Sequence, residues 1–279
     1  VALARPRCLY CGAPFDQALV DEVGRSAAAA LAAPPAAGPA RTLVVIDLEA
    51  ATPAALSDGL GLGAFEARQR KKRGGYALEM ILEHAEAEAE SQRLAAAGLL
   101  VVLVPEAEAK TPCWLAGAGS WDGVLHLQGD GRREIAAGGL LLVVKGPIAR
   151  EYQVPEKKRR VETARLEPGY RFHLHLRDQP VPVEIDPFDL SFPGGPPLSG
   201  SSQIEVQTWL DALRAGAPED DAFRHVTPAL GLRKDDGMRA LPGMPPGARA
   251  GAPLAVLDNL AQFRFYSAWR AAVERRAAR

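Results

Sequence analysis

The chain has 279 residues, enough for a substantial core and, by ordinary domain sizes, for about two domains. With 47% hydrophobic and 24% charged residues it has the composition of a folded globular protein. Its formal net charge of −1 excludes polyanion binding driven by a global field and leaves only local basic patches for that role. Three cysteines cannot build a disulfide framework, and neither a signal peptide nor a membrane-length apolar run is visible, so the sequence reads as cytoplasmic, with no membrane attachment. The Ala tracts and the preference for Arg over Lys match the coding bias of a high-GC bacterium.

Residues 1–25 hold Cys8-Leu9-Tyr10-Cys11-Gly12-Ala13-Pro14. Two thiolates at this spacing can converge on one ion, and Gly12 permits the tight turn behind them. The segment resembles the first half of a zinc ribbon, which implies a structural zinc. No second Cys-x-x-Cys follows, so a tetrahedral site needs Cys113 and a histidine such as His126 to complete a Cys3His set; a knuckle without metal is the other reading. Gly-Ala-Pro behind the motif supplies no helix N-terminus to lower a thiol pKa, which disfavours a redox role. Residues 26–40, rich in Ala and broken by Pro34-Pro35 and Pro39, read as a linker.

Residues 41–112 read as a small α+β module. Leu43-Val44-Val45-Ile46 is a strand-like run, Gly59-Leu60-Gly61-Leu62 a turn, and Phe65-Glu66-Ala67-Arg68 the opening of a basic helix. Ala85 to Ala97 predicts an acidic helix, with Leu94 and Ala97 on its buried face and Gly98 as its C-cap, and Leu99 to Val104 a second strand. Two strands packed on two helices would close the module. This order, carried by Gly59 to Leu62, Glu66 to Arg68, Gly74-Gly75, Ala87 to Glu90, Leu94 and Ala97-Gly98, resembles the C-terminal domain of the bacterial ribosomal stalk protein. More distantly it is similar to the ClpS adaptor, which shares that fold. Extra residues at Gly63 to Phe65 and a longer segment before the second helix set the chain apart. The resemblance covers residues 41–108 and implies a domain that binds other proteins rather than one that catalyses. On the basic helix, Arg68, Arg70, Lys71, Lys72 and Arg73 form either a solvated face or a patch for phosphates or an acidic partner, with Arg70, Lys71 and Lys72 as its contacts.

Residues 120–231 predict a second, mostly antiparallel β domain, PH-like by fold analogy, with a packed helix. Short β runs recur at Val124 to Leu127, Leu140 to Lys145, Val161 to Leu166, Tyr170 to Leu176 and Val181 to Ile185. In Arg171-Phe172-His173-Leu174-His175-Leu176-Arg177, period-2 geometry puts Phe172, Leu174 and Leu176 on the core face and the two histidines with the two arginines on the other. A four-residue loop, Asp178 to Val181, would set His175 opposite Glu184 and His173 opposite Asp186. Such a square can hold a divalent metal or run acid/base chemistry. It can equally be a solvated sheet face laced by cross-strand charge pairs.

The helix expected over Gln203 to Ala215, capped by Ser201-Ser202, points Ile204, Trp209, Leu210 and Leu213 inward. Glu219-Asp220-Asp221 reads as a solvated turn rather than a cation site, and residues 232–253 as a flexible Gly/Pro-rich loop. The closing helix, residues 254–279, carries Leu257, Leu260, Phe263, Tyr266, Trp269 and Val273 at three- and four-residue intervals. This stripe either packs on the protein's own body or, through Phe263, Tyr266 and Trp269, docks in a partner. No complete catalytic set is present. The favoured expectation is a non-enzymatic protein-binding adaptor or scaffold component of a cytoplasmic bacterial complex. The alternatives are a nucleic-acid or ribosome-associated factor using the basic runs at 68–73 and 157–160, and a metal-dependent enzyme built on His173, His175, Glu184 and Asp186.

Overall fold

The continuous apolar run Leu43 to Ile46 has no side free of protein, and its four side chains are fully buried. The structure, a computed structural model, describes residues 40–155, 161–165, 169–191, 202–226, 230–233 and 254–277. Cys8, Cys11, the basic run at 157–160 and most of the 232–253 loop lie outside these residues. The fold is α+β, and Arg41–Arg279 forms one compact unit.

Its first part runs β1 (Arg41–Asp47), α1 (Pro53–Leu60), α2 (Ala64–Arg73), β2 (Tyr76–Glu83), α3 (His84–Ala96) and β3 (Val101–Pro105). The three strands form an antiparallel sheet in the order β2-β1-β3. Val44 and Ile46 pack with Leu56, Ala67, Ala87 and Leu94 of the three helices. α3 ends as expected: Gly98 takes φ +84°, and the Leu99 N–H donates to the Leu94 carbonyl at 3.1 Å. Two elements go beyond the two strands and two helices read from the sequence. α1 has its own signals, with the Thr52 hydroxyl accepting from the Ala55 N–H at 3.1 Å, Pro53 in the first turn and Gly61 at φ +66° as stop. β2 carries a bulge where the register shifts opposite Val44/Val45.

The chain then lays down β4 (Trp114–Ala116), β5 (Ala118–Trp121), β6 (Leu125–Gly129), β7 (Gly131–Ile135) and β8 (Leu140–Ile148). β9 (Arg150–Pro155), β10 (Val161–Arg165), β11 (Gly169–Leu176) and β12 (Val183–Ile185) follow, then α4 (Ser202–Leu213). Last come β13 (Glu219–Asp220), β14 (Leu230–Arg233), β15 (Leu254–Asp258) and α5 (Leu260–Ala277). The central sheet has the order β13-β8-β11-β12-β4. One of its faces, with Val143, Phe172, Leu174 and Ile185, packs on α4 through Val206, Trp209, Leu210 and Leu213. Positions 206, 209, 210 and 213 make one helical stripe, which leaves Ile204, expected inward, on the far side and 69% exposed.

α5 covers the other face. Phe263, Tyr266, Trp269 and Val273 share a cluster with Leu142, Val144 and Phe223 and with Leu43, Val45 and Val104 of the first sheet. The aromatic stripe is therefore packed in cis, and the two regions read as separate domains share a core. Phe263, expected as a partner contact, is fully buried and beyond a partner's reach, because its ring stacks edge-on between Phe223 and His173. Asn259 fixes the start of the helix, accepting from the Ala149 N–H at 2.8 Å and donating to the Pro147 carbonyl at 3.3 Å. Among the described residues no helix is long and apolar enough to cross a membrane.

Candidate functional site

β11 alternates as its sequence demands, with Phe172, Leu174 and Leu176 in the α4 core and Arg171, His173 and His175 on the opposite face. Its pairing with β12 sets Phe172 opposite Ile185, His173 opposite Glu184 and Leu174 opposite Val183. The register is two residues away from the expected one, because the turn is centred between Asp178 and Gln179, one residue earlier than a loop of Asp178 to Val181 would centre it. A shift of two preserves the faces and changes the partners. His175 therefore does not meet Glu184, and Asp186 pairs with Arg171 instead of a histidine. Nor is the face solvated: His173, His175 and Glu184 are each 1% exposed beneath α5.

Glu184 is the hub. Arg264 of α5 grips it with two hydrogen bonds, Nε to Oε2 at 2.6 Å and Nη2 to Oε1 at 2.9 Å. His173 Nε2 lies 3.1 Å from Oε2, and the Cys113 thiol donates to the same oxygen at 3.1 Å. Arg171 lies 3.4 Å from Oε1. Burial pushes the Glu184 carboxyl pKa up, but the hydrogen bonds from His173 and Arg264 outweigh it and hold the group well below the usual carboxylate range. Burial, with Glu184 adding to it, raises the Cys113 thiol to about 12, so it stays protonated and is no nucleophile as it stands.

The histidines form a directed chain. Burial lowers the pKa of His173, and burial reinforced by His173, Arg275 and Arg270 lowers that of His175 further. Both rings are thus neutral, each with one N–H. His173 donates from Nε2 to Glu184, so its Nδ1 accepts from the Ser267 hydroxyl at 2.9 Å. Ser267 in turn accepts from His175 Nε2 at 2.7 Å. His175 Nδ1 is left as a bare acceptor and indeed has no hydrogen-bond partner. Two carboxylates, Glu184 and Asp186, are balanced by two guanidiniums, Arg171 and Arg264, which is how charge is tolerated at this depth.

No family model, no curated protein and no solved structure matches this chain. The chemistry must be read from the residues themselves. Cys113, His173 and Glu184 each offer a ligand atom within 4.8 Å of the others and could hold a metal ion. His126 does not join Cys113: it sits between Asp122 at 3.0 Å and Glu134 at 3.3 Å on the β6–β7 hairpin. The acidic run is spent on ion pairs. Glu219 meets Lys145 at 2.6 Å, Asp220 meets Arg270 at 2.5 Å, and Asp221 meets Arg224 at 2.8 Å. Sequence reasoning found the histidines and Glu184 but missed Cys113 as their neighbour, and missed Ser267 and Arg264 altogether. The last two stand four positions and one position after Phe263, on a helix whose polar residues look solvent-facing.

A second feature is a cleft of about 750 Å³ between the first sheet and α5. One wall is Tyr76, Ala77, Leu78 and Glu79 of β2; the other is Ala261, Gln262, Phe265, Tyr266 and Trp269 of α5. Four consecutive strand residues point alternately to two faces, so a cleft touching all four runs along the strand's edge. β2 pairs with β1 on one side and, among the described residues, with no strand on the other. Arg70 and Arg73, from the end of α2, and His225 stand at the same cleft. Of the expected contacts, Arg70 lies there, engaged by Glu79, whereas Lys71 reaches away to the Glu49 carbonyl at 2.5 Å and Lys72 is exposed on the helix.

Proposed function

We propose that the protein is a non-enzymatic binding module that takes an extended peptide segment of a protein partner as an added strand on the open edge of β2. The observation that carries this reading is the cleft along that edge, bounded on its far side by one face of α5. Strand addition uses the unpaired backbone groups of the edge for affinity and the flanking pocket for selectivity. Four strand residues at about 3.3 Å each give roughly 13 Å of edge, room for about four peptide residues. Leu78 and Phe265 supply apolar surface, while Arg73 brings a positive charge to the mouth beside the Arg70–Glu79 pair. The fitting segment is therefore extended, with apolar side chains alternating with acidic ones. The resemblance of residues 41–108 to stalk-type and ClpS-type binding domains points the same way.

The test is selection of displayed random peptides on the purified full chain, followed by amide hydrogen exchange with the selected peptides bound. Enriched apolar/acidic peptides that slow exchange across residues 76–83, and that bind at least tenfold more weakly to Phe265→Asp, support the reading. Peptides that leave exchange at 76–83 unchanged, or a selection that yields none, refute it.

A further inference from the structure

The ligand set under α5 is compact enough to close on one metal ion. In a tetrahedral site with bonds of roughly 2.0–2.3 Å, ligand atoms stand about 3.3–3.8 Å apart. Cys113 Sγ and His173 Nε2 each lie 3.1 Å from Glu184 Oε2, and the ligand atoms of all three residues lie within 4.8 Å of one another. Sulfur, imidazole nitrogen and carboxylate oxygen together suit a zinc-class ion. The ring of His173 is already held through Nδ1 by Ser267 at 2.9 Å, the kind of outer contact that orients a ligating histidine.

Charge explains how such a set is stable without an ion. Glu184 and Arg264 cancel, with the Cys113 thiol neutral. A dication with the carboxylate and a thiolate also sums to zero. The two states have the same charge at the same depth, so exchanging one for the other strands no buried charge. Arg264 is the partner on the solvent side of this pair, its side chain 43% exposed where that of Glu184 is 1%.

We propose that Cys113, His173 and Glu184 form a binding site for a zinc-class divalent ion, with Arg264 as the internal cation that occupies the carboxylate until the ion displaces it towards solvent. The ion enters, the thiol proton leaves to water, and the fourth coordination position is left to a water molecule. His173 remains neutral and frees Nε2 by carrying its proton on Nδ1. Ser267 then accepts from that N–H and turns its own proton towards His175 Nε2, whose proton resides on Nδ1 in this state. One proton is released for each ion bound. The site is independent of the peptide cleft.

Cobalt(II) is the probe, added to the full chain in a Cys8→Ser/Cys11→Ser background so that the N-terminal pair contributes nothing. One ion per chain is expected, with a thiolate-to-cobalt charge-transfer band and the intense visible bands of tetrahedral coordination, both displaced by zinc. Adding Cys113→Ser, which conserves size at a half-buried position, abolishes the charge-transfer band while circular dichroism shows the fold retained. Adding Arg264→Gln tightens binding by roughly tenfold or more, because the two charge-assisted hydrogen bonds to Glu184 no longer have to be broken. The proposal fails if the background protein shows no such band, if the band survives Cys113→Ser, or if folded Arg264→Gln binds more weakly.

Discussion

Lowering the pH from 6.5 to 5.0 loads protons onto the unfolded chain that His173 and His175 refuse in the fold. An unfolded imidazole has a pKa near 6.5, and burial depresses both folded values, that of His175 far more. Between these limits the unfolded state binds more protons than the native one, so stability is fully present above pH 6.5 and falls as the pH drops. An imidazole that stays neutral in the fold throughout this interval loses RT ln[(1 + 10^1.5)/2], about 1.6 kcal/mol, which is the ceiling for each histidine. The two together therefore lose at most about 3 kcal/mol, and His175, whose pKa burial lowers the more, supplies the larger share. Stopping at pH 5 keeps the contribution of Glu184, lowered from the ordinary carboxylate value, out of the interval. The assay is urea unfolding followed by tryptophan fluorescence at half-unit steps of pH, on the wild type and on His175→Leu, which cannot take up the proton. The variant should lose at least half of the pH dependence whatever its absolute stability. Stability that is flat or rises on acidification, or an equal slope in the variant, would refute the neutral-histidine assignment.

The remaining predictions concern stability measured by the same denaturation. Ser267→Ala removes the hydroxyl shared by His173 Nδ1 and His175 Nε2, and costs about 1–3 kcal/mol for each buried nitrogen left without a partner. Asp220→Ala takes from the buried guanidinium of Arg270 the nearer of its two carboxylates, leaving Glu274 at 3.6 Å, and also frees the Tyr266 hydroxyl, for a loss of about 3–5 kcal/mol. Much of that loss should return in Asp220→Ala/Arg270→Met, which removes the under-paired buried charge. Gly129→Ala would place a Cβ 2.2 Å from the Leu115 carbonyl oxygen and 2.8 Å from the Trp114 ring, forcing β4 and β6 apart at a cost of about 1–3 kcal/mol, with a changed near-UV signal from Trp114.

How much of this was legible differs by element. The alternation in β11 told which side chains share a face, since that depends only on the pleat. Their exact partners depend on where the β11–β12 turn is centred, and a centre one residue earlier than expected moved Glu184 from His175 to His173. β2 escaped notice for a local reason. Its bulge puts Tyr76, Leu78 and Ile81 against one core cluster and Ala77, Met80 and Leu82 against another, so the period of two breaks in mid-strand. The cleft along its edge went unseen with it. Cys113 reaches Glu184 only because β4 adds in parallel to β12, a pairing across some seventy residues that leaves no local mark.

The burial of the histidine face was beyond sequence reasoning because its cover lies at the far end of the chain. α5 shows an aromatic stripe, which indicates one buried face and, by the usual rule, one wet one. In the fold both sides of its central turns are covered, and Ser267, Ala268, Trp269 and Arg270 are all buried in succession. What makes this tolerable is that its polar groups are matched by groups scattered through the rest of the sequence. Ser267 meets two histidines, Arg264 meets Glu184, and Arg270 meets Asp220 and lies over the Tyr76 ring at 4.6 Å. A polar helix can be a core helix when each of its polar side chains has a partner waiting, and those partners belong to four different strands, β2, β11, β12 and β13. The buried charges of the central sheet and the polar residues of α5 are therefore one design split across the chain, and neither half reads correctly alone.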